Sequence, residues 1–257
     1  MVVPPILCLI ATALGQSFED GLAPSPAYAM LRQGDARAAI RALRAAPDSP
    51  EVRKTLAAAY YAEKQFTLFA AMMRSVIAER PDDFAPYYYL GRHSDTDLRD
   101  FRTAASYFES AVERYPAHAP SLYYLGFARE QLGEFEASAA AYQRARALRR
   151  DYALPLLGLA RLRLTGGAVG EAVTLAREAI RLAPSNPAFY AVLARALSAT
   201  GRKNDAAAAW QRVAALDPTD AAARYHLYRF YLESGDKARA EQAKSEFEQL
   251  RAIYGVE

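Results

Sequence analysis

Pro81, Pro116, Pro184 and Pro218 each close a run of helix-favouring residues, at intervals of 35, 68 and 34. The long interval is twice the short one, and its empty midpoint is Arg150, between Arg149 and Asp151. A second ladder keeps the same step: Leu90-Gly91, Leu125-Gly126, Leu159-Ala160, Leu193-Ala194 and Leu227-Tyr228. Two independent markers with one period constrain the chain more than any composition could. Each repeat is one supersecondary unit that cannot bury its apolar faces alone, so neighbours must stack and share a core.

The content of each repeat follows from its small and large residues. Gly133, Gly167, Gly201 and Gly235 mark turns midway through the unit, where a helix ends in a left-handed residue. Ala104, Ala172, Ala206 and Ala240 allow close helix packing, and Phe108 and Trp210 follow Ala104 and Ala206 by four residues, with Tyr142 at the same bulky position of another unit. Alanine, leucine, arginine and glutamate are abundant and long β-branched runs are missing, which favours helix throughout. The unit is therefore helix, Gly turn, helix, Pro, and the fold class is all-α.

This pattern resembles the tetratricopeptide repeat family, whose repeat runs through a large residue, Leu, Gly or Ala, Tyr, Gly, Ala, Phe, Ala and Pro. Residues 119–150 and 187–218 carry it most fully, with Leu122, Leu125, Gly126, Gly133, Tyr142 and Ala145 in the first and Tyr190, Leu193, Ala194, Gly201, Ala206, Trp210 and Pro218 in the second. The resemblance implies a right-handed α-α superhelix of about six to seven helix pairs. Residues 27–49 read as a degenerate helical repeat and 50–254 as tandem repeats ending in a capping helix. One extra residue within 92–99 lengthens a turn, and the run His93-Ser94-Asp95-Thr96-Asp97 is expected there as a solvated polar loop.

Register then nominates a binding face. In the first helix of each unit the large, Leu, Gly and Tyr positions share a buried stripe, and residues one step beyond lie on the adjacent face. In the family that face lines the concave groove and takes up peptides or helices. Here it carries Lys54, Tyr88, Tyr123, Leu157, Ala191 and Tyr225, and four residues on Ala58, Arg92, Phe127, Arg161, Arg195 and Arg229. Arginines on stacked helices roughly 8–10 Å apart would jointly attract an anion, and Arg and Tyr are enriched at binding hot spots. The alternative is internal neutralisation by Asp95, Glu130 or Glu233. The family's clamp for a C-terminal carboxylate uses groove asparagines and lysines, and only Lys54 fits that pattern.

Chemistry is not indicated elsewhere. His93, His118 and His226 fall in different repeats, too far apart for a shared metal or relay, so no catalytic residue, cofactor or metal site is expected. The stretch Gly166-Gly167-Ala168-Val169-Gly170 lacks the preceding strand and following Lys of a phosphate loop. A net charge of +3 is too mild to imply nucleic acid. Cys8 is the single cysteine, which excludes a disulfide framework.

Cys8 lies in an uncharged apolar leader ending in Ala13-Leu14-Gly15, a small-x-small cleavage pattern. Residues 1–15 read as a signal peptide and 16–26 as a linker. About 14 apolar residues fall short of the roughly 20 that span a bilayer, so no stable span is expected in the mature chain. Export to a periplasm or the exterior follows if the leader is a true signal, and a cytoplasmic protein otherwise. The expectation is a non-enzymatic scaffold that binds another protein's peptide or helix, an acidic one if the arginines act together. The alternative is an envelope- or glycan-associated accessory protein of a secretion or assembly system.

Overall fold

A computed structural model describes Leu22 and residues 25–254, so the leader 1–15 with Cys8, and most of the linker, lie outside the described residues. Among those described there are fourteen α-helices and no strands. They form two compact units divided after Gly133.

The first unit holds α1 (Pro26–Arg32), α2 (Ala36–Arg44), α3 (Pro50–Ala62), α4 (Phe66–Glu79), α5 (Phe84–Thr96), α6 (Phe101–Arg114) and α7 (Ala119–Gln131). The second holds α8 (Phe135–Leu148), α9 (Leu154–Thr165), α10 (Val169–Leu182), α11 (Pro187–Ala199), α12 (Lys203–Leu216), α13 (Ala221–Ser234) and α14 (Lys237–Tyr254). The proline ladder marks second-helix ends as expected: Pro81, Pro116, Pro184 and Pro218 each lie two residues past the last residue of α4, α6, α10 and α12, and Arg150 does the same after α8. A Pro there cannot continue the helix.

First helices are started by side-chain caps, except α9, which follows Ala153 and has none. Ser49, Asp83, Asn186 and Asp220 accept hydrogen bonds from the backbone N–H groups of Val52, Ala85, Ala188 and Ala223, satisfying donors the helix itself leaves orphaned. The turn after each first helix requires a left-handed residue. Gly235 supplies it at φ 79° after α13, whereas Lys64 and Arg99 take it in the turns after α3 and α5, an uncommon conformation for residues with a Cβ.

Three residues separate α3 from α4, α9 from α10 and α11 from α12, and four separate α5 from α6. The inserted residue therefore belongs to the α5–α6 turn. It does not make a solvated loop of 93–97. The last turn of α5 contains His93, Ser94 and Asp95, all buried, because the helix continues to Thr96 before the extra residue is accommodated.

Each second helix packs its small and bulky positions inward. Ala104 and Phe108 of α6, Ala172 of α10 and Tyr142 of α8 have no exposed surface, and Ala206 and Trp210 of α12 are buried. In the second unit the Tyr142 ring lies where a side chain at Gly158 of α9 would have to go, so a Cβ there would collide with it. In the first unit, the Phe108 ring stacks on Tyr124 with centroids 5.7 Å apart and would lie 2.8 Å from a Cβ at Gly91. The period is thus enforced by volume, with a ring from one helix filling the space left by glycine on another. The final helix, α14, is 18 residues long and buries Ala240 and Ala243. No helix among the described residues is long and apolar enough to cross a membrane.

Candidate partner-binding groove

The two units treat the groove register differently. In the first, Lys54 on α3 is 6% exposed, and its Nζ lies 2.6 Å from Oδ2 of Asp83, the N-cap of α5. One carboxylate thus caps a helix and neutralises a lysine.

One repeat further, Tyr88 on α5 is fully buried, with its ring edge-on to His118 at 5.0 Å and 5.2 Å from Tyr89. Arg92, one turn on, places its guanidinium 4.0 Å from the Tyr124 ring centroid and donates to the Tyr88 hydroxyl at 3.4 Å. Its Nε is buried with no hydrogen-bond partner. On α7, Tyr123 is buried edge-on to Tyr124 at 4.9 Å, and Phe127 is half-buried 6.3 Å from Phe101.

Asp95 lies three residues beyond Arg92 on the same face of α5. It is 7% exposed, and nothing hydrogen-bonds to its Oδ1. Burial pushes its carboxyl up to about 6, against the pull of Arg92 and Arg99. On α3 the equivalent residue is Tyr61, whose hydroxyl donates to Asp97 Oδ2 at 2.7 Å. That same oxygen is 2.9 Å from His93 Nδ1. Burial first, and then Asp97, raise the Tyr61 phenol well above its usual value.

In the second unit the same register is still packed on α9 and opens to solvent at Arg195 of α11 and on α13. Leu157 on α9 is buried in the core with Phe189 and Val192, and Arg161 is half-buried with Nη2 3.3 Å from the Tyr142 hydroxyl. Arg195 on α11 is exposed, and no carboxylate among the described residues pairs with it. On α13 Tyr225 is 40% exposed and Arg229 is 57% exposed. Arg229 lies 3.8 Å from Glu233, whose other oxygen is 2.7 Å from Lys203.

Leu232, three residues after Arg229, is 58% exposed. Tyr225, Arg229 and Leu232 are therefore one stripe along α13 by helical spacing. Tyr61, Asp95 and Leu232 extend the register by a further step of three residues from Ala58, Arg92 and Arg229; the sequence offers Asp95 as a counter-charge to the arginines, and it does not single out Tyr61 or Leu232.

The histidines are separate. His93 faces Asp97, and His118 caps α7, 2.6 Å from the buried Ser121. His226 stacks on Trp210 at 4.2 Å with the rings 12° from parallel. No group of three or more metal-ligating side chains occurs among the described residues.

Comparison with known proteins accords with this architecture. The tetratricopeptide repeat family matches residues 30–92, and again residues 94–153, 128–187 and 192–248. No curated protein matches the chain by sequence. Solved structures of like fold include the APC/C hetero-tetramer Cut9–Hcn1, with TM-score 0.76 and 16% identity over 98% of this chain and 50% of that one. A tetratricopeptide repeat protein from Parabacteroides merdae gives 0.68 and 17% over 87% and 90%. YrrB, described as a TPR protein with an unusual peptide-binding site, gives 0.53 and 15% over 72% and 95%.

Proposed function

The chain belongs to the tetratricopeptide repeat family, and from that premise we propose that it is a non-enzymatic scaffold holding a peptide or helix of a partner protein on the face carried by its first helices. The observation that carries this reading is the stripe Tyr225, Arg229 and Leu232 on α13, with Arg195 at the matching position of α11. Large apolar side chains and an unneutralised guanidinium are left in water there, although the same register elsewhere is packed away. Such residues supply anchor area and forked donors at interfaces. Helices present them in fixed positions, so most of the ordering cost of binding falls on the partner.

Affinity capture from the host, using the full chain, tests this. The wild type and Arg177→Glu, an exposed position on the second helix α10, retain the same partner, and the Arg195→Glu, Arg229→Glu variant releases it. Identical retention by all three would remove the stripe from the binding face. The exposed Tyr225 ring favours a second reading, an envelope- or glycan-associated accessory protein. Its mark would be glycan-array binding that survives Arg195→Glu and disappears with Tyr225→Ala.

Export forms part of the same proposal and stands on residues 1–15 alone. Protein purified from its host begins at Gln16 or a near neighbour, and an intact Met1 in soluble cytoplasmic protein refutes export.

A further inference from the structure

Within the second unit, Arg229 stands one helical turn beyond His226 on α13, and Arg195 holds the matching register position on α11. His226 lies on Trp210 of α12, and its pKa is lowered by burial first, then by Arg229 and Arg195, with Asp220 alone opposing them. Tyr225, in ring contact at 5.9 Å, is the remaining titratable neighbour on α13, and Trp210 brings no charge. Both guanidiniums are exposed, and neither has a carboxylate to itself. Arg195 has no carboxylate partner among the described residues, and the Glu233 that approaches Arg229 is already held by Lys203.

We propose, resting on the scaffold reading above, that Arg195, Arg229 and the His226 ring form the anion-holding subsite of this face, and that it takes a side-chain carboxylate from an acidic segment of the partner. Charge complementarity identifies the occupant. A guanidinium fork matches a carboxylate, and the bond is charge-assisted. The residue beside that carboxylate is a large apolar one, because Tyr225 and Leu232 bracket Arg229 one helical turn to either side and both are exposed. A carboxylate placed between the arginines offsets their field at His226, so the ring's pKa rises on binding.

The probe is a short synthetic peptide with a Glu-Leu-Asp-Phe centre in a Ser and Gly frame, compared with its Gln-Leu-Asn-Phe counterpart by fluorescence anisotropy on the full chain. Wild type binds the acidic peptide about tenfold more tightly, roughly one carboxylate's share of affinity. His226 is half-buried while His93 and His118 are buried, and its ring resonances followed against pH by NMR report a higher pKa in the complex. In Arg195→Gln, Arg229→Gln both the preference and the pKa rise disappear. Equal affinity for the two peptides, absence of binding included, overturns the subsite, as does an unchanged preference in the variant. If host-partner capture survived the loss of both arginines, the scaffold would stand and the subsite alone would fall.

Discussion

Lys54→Ala lowers the free energy of unfolding by about 3–5 kcal/mol, read as a drop in the urea midpoint at neutral pH. Truncation leaves Asp83 charged and largely enclosed with its partner gone, since the pair lies at 2.6 Å and both side chains are mostly covered. The loss comes chiefly from the stranded carboxylate, because an uncompensated buried charge costs more than a well-made pair gains. The double variant Lys54→Met, Asp83→Asn separates the two effects. Asn keeps the cap on the Ala85 N–H and carries no charge, and Met refills the lysine's volume, so most of the stability returns. If the double variant were as unstable as Lys54→Ala, the charge would be irrelevant and lost packing would explain the drop.

This case shows what the sequence made legible and where it stopped. The repeat, its proline ends and its glycine turns could be read because each rests on local backbone chemistry: a missing N–H at Pro184, a left-handed turn at Gly235. The groove register was legible for the same reason, since helical spacing alone determines which residues share a face. Exposure on that face was not, because it depends on contacts distant in sequence. Lys54 and Tyr225 occupy the same register position, yet Asp83 draws one inward and the other remains open. Likewise His93 and Asp95 looked like loop residues next to an inserted position, but the insertion falls after Thr96 and the helix keeps them inside.

Asp95→Asn has the opposite sign to Lys54→Ala and a pH signature of its own. Burial raises the Asp95 carboxyl from 3.8 to about 6, so the folded chain holds this proton more tightly than the unfolded chain does. Stability then falls as pH rises from about 4 to about 6, because between those values the native state binds more protons. Below that window the wild type carries no penalty. Above it the penalty is constant, and at about 1.4 kcal/mol per pH unit it reaches ~3 kcal/mol. Asn cannot ionise, so the variant is more stable than wild type by up to that amount at pH 7–8, and the two converge near pH 4. Urea unfolding across this range checks both the gain and its disappearance. A variant less stable at neutral pH would mean that the ionised Asp95 is needed to balance Arg92, whose guanidinium lies over Tyr124 one turn earlier on the same face. Lys54 and Asp95 thus differ in one respect that decides the sign: the first has a carboxylate at 2.6 Å, and the second has an oxygen that nothing in the described fold satisfies.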